Sequence, residues 1–280
     1  MNSRTWKTIP RNTIRKLALD CFKSRASGTI TRYLREVVLF MKFQASKGLP
    51  AALPASLLHV CVYLSFLLDK QKVSAVSMAY AALKWVHGIL PIQRNPWDST
   101  ICLNLVEAEK RLRKRPMVKK EPVSTELIKS IVARYGSENA NLKDLWIATM
   151  CILSFAGLFR SKELLNIRVR DIEGFDDHFV VHVPESKTDI YRRGQDVFIA
   201  KSSGDSCPAV SLDRYIRKAN ITANGKDANL FRNVIYLKST NSCILGKKAV
   251  SYSRFREVFK ECLKSWGMMI RCMDYIVFVL

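Results

Sequence analysis

Two side chains in the second half of the chain stand where phosphate chemistry could be done. Arg160 follows the break Gly157-Leu158-Phe159 and opens the run Arg160-Ser161-Lys162-Glu163-Leu164-Leu165. A short helix starting there leaves its first N–H groups without intrahelical partners. Those groups and a guanidinium fork could together hold an anion. A single Arg at a helix start is more often a plain surface residue, so position alone assigns it no role. Lys187 lies in Glu185-Ser186-Lys187-Thr188-Asp189, at a strand end or hairpin. An ammonium there could enter a backbone groove and donate a proton. A hairpin Lys also serves simply as a solubility residue.

The elements that must position these two residues can be read from periodicity. Thr125–Tyr135 and Leu142–Ala156 have helical patterns, and Arg160–Leu165 resumes as a short helix. Phe179–Val183 and Asp196–Ile199 are β-rich, and the polar stretch PESKTDIYRRGQ lies between them. This predicts two paired strands with an extended connection. Pro208–Ala219 and Tyr252–Trp266 read as helices, which makes this half an α+β domain.

The first half reads as helix only. Ile30, Tyr33, Leu34, Val37, Val38, Met41 and Ala45 recur at helical spacing and end near Gly48. Pro54 is placed to open a second helix through ASLLHVCVYLSFLLDK, ending at Lys70, apolar on most sides and therefore expected to be central. A third runs from about Ser74 to Leu90, with Val76, Ala79, Tyr80, Leu83, Trp85 and Val86 inward. A fourth starts near Ser99 and continues into the basic run. Four helices with short connections suggest a bundle. Arg32, Arg35, Lys42, Lys84, Lys110 and Arg113 are expected on its outer faces.

Charge is the outlying property. The 280 residues carry 46 Lys and Arg against 24 Asp and Glu, a formal net charge of +22. Hydrophobic residues at 48% are enough to bury a core, so the surplus must lie on the surface. A polyanionic partner follows, nucleic acid before an anionic membrane surface. Residues 1–120 hold 22 basic and 6 acidic side chains, and residues 121–280 hold 24 and 18. Lys110–Lys120 holds seven basic residues in eleven. That run fits a solvated linker or an import signal, and the excess on its N-terminal side favours phosphate contact.

Several classes fall away. No stretch approaches the roughly 20 apolar residues of a membrane span. The first twenty residues contain no apolar segment of a secretory signal, so the chain is not expected to be secreted. Eight scattered Cys without a C-x-x-C pair read as reduced core thiols, and the four His lack ligand spacing for a zinc finger. The expected compartment is the nucleus in a eukaryote and the cytoplasm otherwise.

The segment Leu145–Ile172, LWIATMCILSFAGLFRSKELLNIRVRDI, resembles the first active-site box of the tyrosine recombinases, the family of the phage integrases. Its pattern is an apolar helix, a small-residue turn, a catalytic Arg, then a Glu-Leu pair leading to a strand start. Arg160 falls on the Arg, and Glu163 and Leu164 on the pair. HVPESKTDIYRRGQDVFIA resembles the β-hairpin of the catalytic Lys, with Lys187 on that position. Cys207-Pro208 before a helix and Leu230-Phe231-Arg232 are similar to integrase-like proteins of animal mobile elements. The similarity covers roughly residues 20–266.

The resemblance implies a mainly α protein of two domains. The first is a four-helix, SAM-like core-binding and DNA-binding bundle over 20–115. A basic linker at 116–123 and an α+β integrase-type catalytic domain at 124–280 follow. Candidate DNA contacts are Arg32, Arg35, Lys42, Lys84, Arg113, Lys114, Arg115, Lys119 and Lys120. The implied chemistry is phosphodiester transesterification on duplex DNA without metal or cofactor. Two Arg and a His or Trp bind the scissile phosphate. The Lys protonates the leaving 5′ oxygen, and a Tyr forms a 3′-phosphotyrosine.

The family's H-x-x-R box is not present. The residues three after His59, His87, His178 and His182 are Val62, Leu90, Val181 and Glu185. Tyr275 follows no such box and is not assigned as nucleophile. The catalytic domain therefore reads as C-terminally truncated and inactive in cis, with a homo-oligomer on DNA or a full-length relative as possible partner. Two other readings remain open: a catalytically dead DNA-binding remnant, and a helical interaction protein using Ala55–Leu68.

Overall fold

The computed structural model describes residues 10–70, 74–90, 92–113, 123–187, 189, 191, 193–221 and 225–264. The chain divides into two units, 1–116 and 117–280. No helix among the described residues is long and apolar enough to cross a membrane.

The first unit is helical. It contains α1 (Arg11–Phe22), α2 (Ser27–Ser46), α3 (Leu57–Asp69), α4 (Ala75–Gly88) and α5 (Thr100–Leu112). The four helices read from periodicity are α2–α5, and α1 precedes them. Phe40, Phe43, Val60, Tyr63, Leu64, Leu83 and Trp97 form its core. The buried stripe of α2 is rotated from the expected one. Phe40, Phe43 and Gln44 are buried, whereas Leu34, Val38 and Ala45 are exposed. The run VVLFMKF is apolar nearly all round, so periodicity admits both faces, and the aromatic one fills the core.

Helix α3 is also placed differently from expectation. Ser56, not Pro54, starts it, accepting a hydrogen bond from the His59 N–H at 3.3 Å. It buries Val60, Tyr63 and Leu64 on one side and leaves Leu58 70% exposed on the other, so it is not central. Helix α4 has no side-chain cap from its own N-terminal residue, because Ser74 is left-handed and its hydroxyl makes no capping hydrogen bond. Buried Glu109 of α5 caps it instead, accepting from the Val76 and Ser77 N–H groups at 2.9 Å each.

The second unit contains α6 (Thr125–Tyr135), α7 (Leu142–Ala156), α8 (Ser161–Asn166), β1 (Ile172–Gly174), β2 (His178–Val183), β3 (Gln195–Ala200), α9 (Pro208–Lys218), β4 (Arg232–Leu237), β5 (Ser242–Ala249) and α10 (Tyr252–Lys264). Helix α7 is the central one, buried continuously from Leu145 to Ser154. Asn141 caps its start, accepting from the Asp144 N–H at 2.9 Å. Strands β1, β2 and β3 form an antiparallel sheet in that order, with His182 opposite Asp196. Strands β4 and β5 form a separate antiparallel pair.

Both long helices that lead to turns end in the same hydrogen-bond pattern. At the end of α2, Gly48 N–H bonds Ala45 O and Leu49 N–H bonds Gln44 O, with Gly48 at φ +68°. At the end of α7, Leu158 N–H bonds Phe155 O and Phe159 N–H bonds Ser154 O. This is a Schellman closure, which needs one left-handed residue. Glycine takes that place in the first and Leu158, at φ +50°, in the second.

Candidate active site

The turn after α7 places Arg160. Phe159 is fully buried and anchors the chain one residue before it. Its ring passes so close to Gly157 that a Cβ there would lie 2.2 Å from Phe159 Cε2. Gly157 is thus required by close approach. Arg160 leaves the core in extended conformation and becomes the cap residue of α8.

Glu163, one turn into α8, gathers three hydrogen bonds. Its Oε2 accepts from the Arg160 backbone N–H at 2.9 Å, and its Oε1 accepts from Arg160 Nη1 at 2.8 Å. Ser186 Oγ donates to the same Oε1 at 2.9 Å and accepts from Arg160 Nη1 at 2.8 Å. Burial pushes the Glu163 carboxyl up, but the hydrogen bonds from Arg160 and Ser186 outweigh it and hold the carboxyl below its ordinary range. Glu163 is therefore a fixed anion that orients one edge of the guanidinium.

The remaining guanidinium is open. The Arg160 side chain is 41% exposed, and among the described residues Nε and Nη2 make no hydrogen bond. A planar fork with a free edge, held by a carboxylate behind it, suits a phosphate oxygen pair.

Lys187 follows Ser186 directly and is exposed, with no ion pair among the described residues. Its segment joins β2 to β3. Asp189 Oδ2 accepts from the Gly194 N–H at 2.9 Å and shortens the connection. Gly194 sits at φ +75°, with His182 so near that a Cβ would approach its ring to 2.9 Å. The structure therefore brings Arg160, Glu163 and the Lys187 hairpin together. Ser186 and Asp189 were not picked out from sequence, though both flank Lys187 in the polar connection.

The candidate cations of the helical unit divide. Arg32, Arg35 and Lys42 are exposed on α2 and border a groove of about 710 Å3 that α3 and α4 complete. Lys84 is engaged with Asp98 at 2.7 Å and with the Tyr80 hydroxyl at 3.2 Å. Arg113 is not on an outer face: its side chain is 12% exposed, bonded to Glu109 at 3.4 Å and to the Leu68 carbonyl. The acceptors at the ends of α3 and α5 draw it inward. Lys114, Arg115, Lys119, Lys120 and Tyr275 lie outside the described residues.

An integrase/recombinase XerD homologue of Selenomonas ruminantium is 23% identical over 232 residues, covering 82% of this chain and 66% of that protein. The lambda integrase tetramer bound to a Holliday junction superposes with a TM-score of 0.50 at 12% identity, over 96% of this chain and 69% of that one. The chain has the tyrosine-recombinase fold. A lambda integrase dimer bound to a COC′ core site matches this recombinase fold equally, with a TM-score of 0.50 over 94% of the chain and 83% of its own. No protein-family model matches the chain. The chain spans about two thirds of the length of the XerD homologue. Within the recombinase fold, the Arg160 turn and the β2–β3 hairpin carry the two residues marked by the sequence resemblance.

Proposed function

We propose that the chain is a DNA-binding protein of the tyrosine-recombinase type, acting on duplex DNA in recombination or integration. The XerD homologue and the DNA-bound lambda integrases support this reading. The single observation that carries it is the Arg160–Glu163–Ser186 cluster, which leaves a guanidinium edge open beside the Lys187 hairpin.

In this reading Arg160 binds a backbone phosphate and offsets the charge that grows on it in the transition state. Lys187 is the general acid toward a leaving 5′ oxygen. Glu163 and Ser186 are positioning residues. Residues 20–115 serve as the core-binding domain, where Arg32, Arg35 and Lys42 meet the backbone. Residues 116–123 are the linker and 124–280 the catalytic part. The chain assembles with further copies on DNA, comes from a mobile element, and works in the nucleus if its source is eukaryotic.

The test is a salt titration of binding to a short duplex. Phosphate-led binding gives a steep linear fall of log K against log salt. Arg160→Ala lowers the slope by about 0.9, the share of one phosphate contact. Affinity that is flat in salt removes the DNA reading, and an unchanged slope in Arg160→Ala removes the phosphate role.

A further inference from the structure

The groove of the helical unit has a shape and chemistry that phosphate contact alone does not require. Along α2 it is bordered at positions 32, 35, 36, 39, 42, 43 and 46, a continuous stripe at helical spacing. From Arg32 to Ser46 that stripe runs about 21 Å at 1.5 Å per residue. Its length suits an elongated occupant better than a small molecule.

The floor is apolar and the rim cationic. Phe43 and Phe66 meet as tilted rings with centroids 4.8 Å apart, Leu67 and Met78 line the groove with them, and Leu39 stands 42% exposed. Arg32, Arg35, Lys42 and Lys70 surround this strip, with Glu36 the one carboxylate among the described lining residues. A nucleic-acid backbone would use the rim and leave the floor empty. An amphipathic helix with acidic flanks uses both.

The three longest segments outside the described residues do not fit that description. Residues 1–9 are basic, 114–122 hold one acidic residue, and 265–280 hold one. A second copy, with a net charge of +22, is a poor match for this cationic rim in the absence of DNA.

We propose that this groove docks an acidic amphipathic helix of a partner protein, its apolar residues on Leu39, Phe43 and Phe66 and its carboxylates on the four cations. The docked helix covers Arg32, Arg35 and Lys42 and so competes with DNA for them. The competition rests on the DNA reading above; the docking does not.

The probe is a fluorescein-labelled peptide of about 16 residues, with Leu at positions i, i+3, i+7 and i+10 and Glu on the flanks. Controls are a scrambled peptide of the same composition and decanoate. The full chain is expected to bind the amphipathic peptide saturably, and the scrambled peptide about tenfold more weakly. Leu39→Gln, an exposed change that leaves the charge intact, weakens the peptide by about tenfold and spares duplex binding. Equal binding of the scrambled peptide, indifference to Leu39→Gln, or full displacement by decanoate overturns the helix-docking assignment. With docking established, failure of the peptide to displace a duplex overturns the competition alone.

Discussion

Ser186 Oγ accepts a hydrogen bond from Arg160 Nη1 at 2.8 Å, so the start of α8 and the β2–β3 connection meet one residue before Lys187. The same hydroxyl donates to Glu163, which makes it the joint between the two halves of the candidate site. Neither helix nor hairpin alone defines where the guanidinium lies.

Removing that joint gives the first prediction. Ser186→Ala should weaken duplex binding about fivefold, less than Arg160→Ala, since one hydrogen bond is worth roughly 1 kcal/mol. Ser186→Thr should restore binding, because it returns the hydroxyl. Affinity that ignores both variants in a fluorescence titration would separate the hairpin from phosphate recognition.

The turn before Arg160 holds a left-handed Leu158, 56% exposed. An L-residue there costs about 1–2 kcal/mol, which glycine does not incur. Leu158→Gly should therefore stabilise the chain by about 1 kcal/mol in urea unfolding. A loss of stability would mean that the Leu158 side chain contributes more than its backbone costs.

Glu109 is 3% exposed and holds the start of α4, the Ser77 hydroxyl at 2.6 Å and Arg113 at once. Glu109→Ala should cost about 3 kcal/mol, through the orphaned helix N–H groups and the loss of the buried ion pair. A midpoint shift within error in denaturant titration would contradict this.

His87 is fully buried and accepts from the Ala55 N–H at Nε2, at 3.1 Å. That bond needs a lone pair there, so the neutral ring carries its proton on Nδ1, facing Leu83 O at 2.8 Å. Trp97 Nε1 also lies 3.1 Å from Nδ1, and Nδ1 as donor cannot accept from it. Burial lowers the His87 pKa, against the raising effect of the Leu83 carbonyl. The unfolded chain thus binds the proton more readily. Stability from this site is complete above the ordinary value of 6.5 and falls as pH drops through the lower folded value. Thermal midpoints of the wild type should decline on that acid side more steeply than those of His87→Gln. Parallel declines would exclude His87 as the cause.

The parts of the fold that the sequence made legible are those where one pattern admits one structure. The run Leu142–Ala156 is mostly apolar from Leu145 onward and bounded by Asn141 and Gly157, and its helix has those bounds. Phe179–Val183 and Asp196–Ile199 pair as their β-rich composition suggests. The face of α2 was not legible, because two overlapping stripes of one apolar run compete and only the core decides. The β4–β5 pair escaped notice, although Val234-Ile235-Tyr236 and Cys243-Ile244-Leu245 flank the polar turn that joins them. Arg160 and Lys187 could be picked out from a resemblance, whereas Ser186 gains its role only from a contact across 26 residues.

The Glu109–Arg113 arrangement ties three helix ends into one knot: the last carbonyls of α3, the first amides of α4 and the final turn of α5. Neither the end of α3 nor the start of α4 can fray without breaking bonds to the end of α5, and fraying of α5 releases both. Amide hydrogens in α3, α4 and α5 should therefore exchange with solvent as one cooperative block, opening together. Helix α1, with Leu17 and Leu19 about half exposed, stands outside that block and should exchange first.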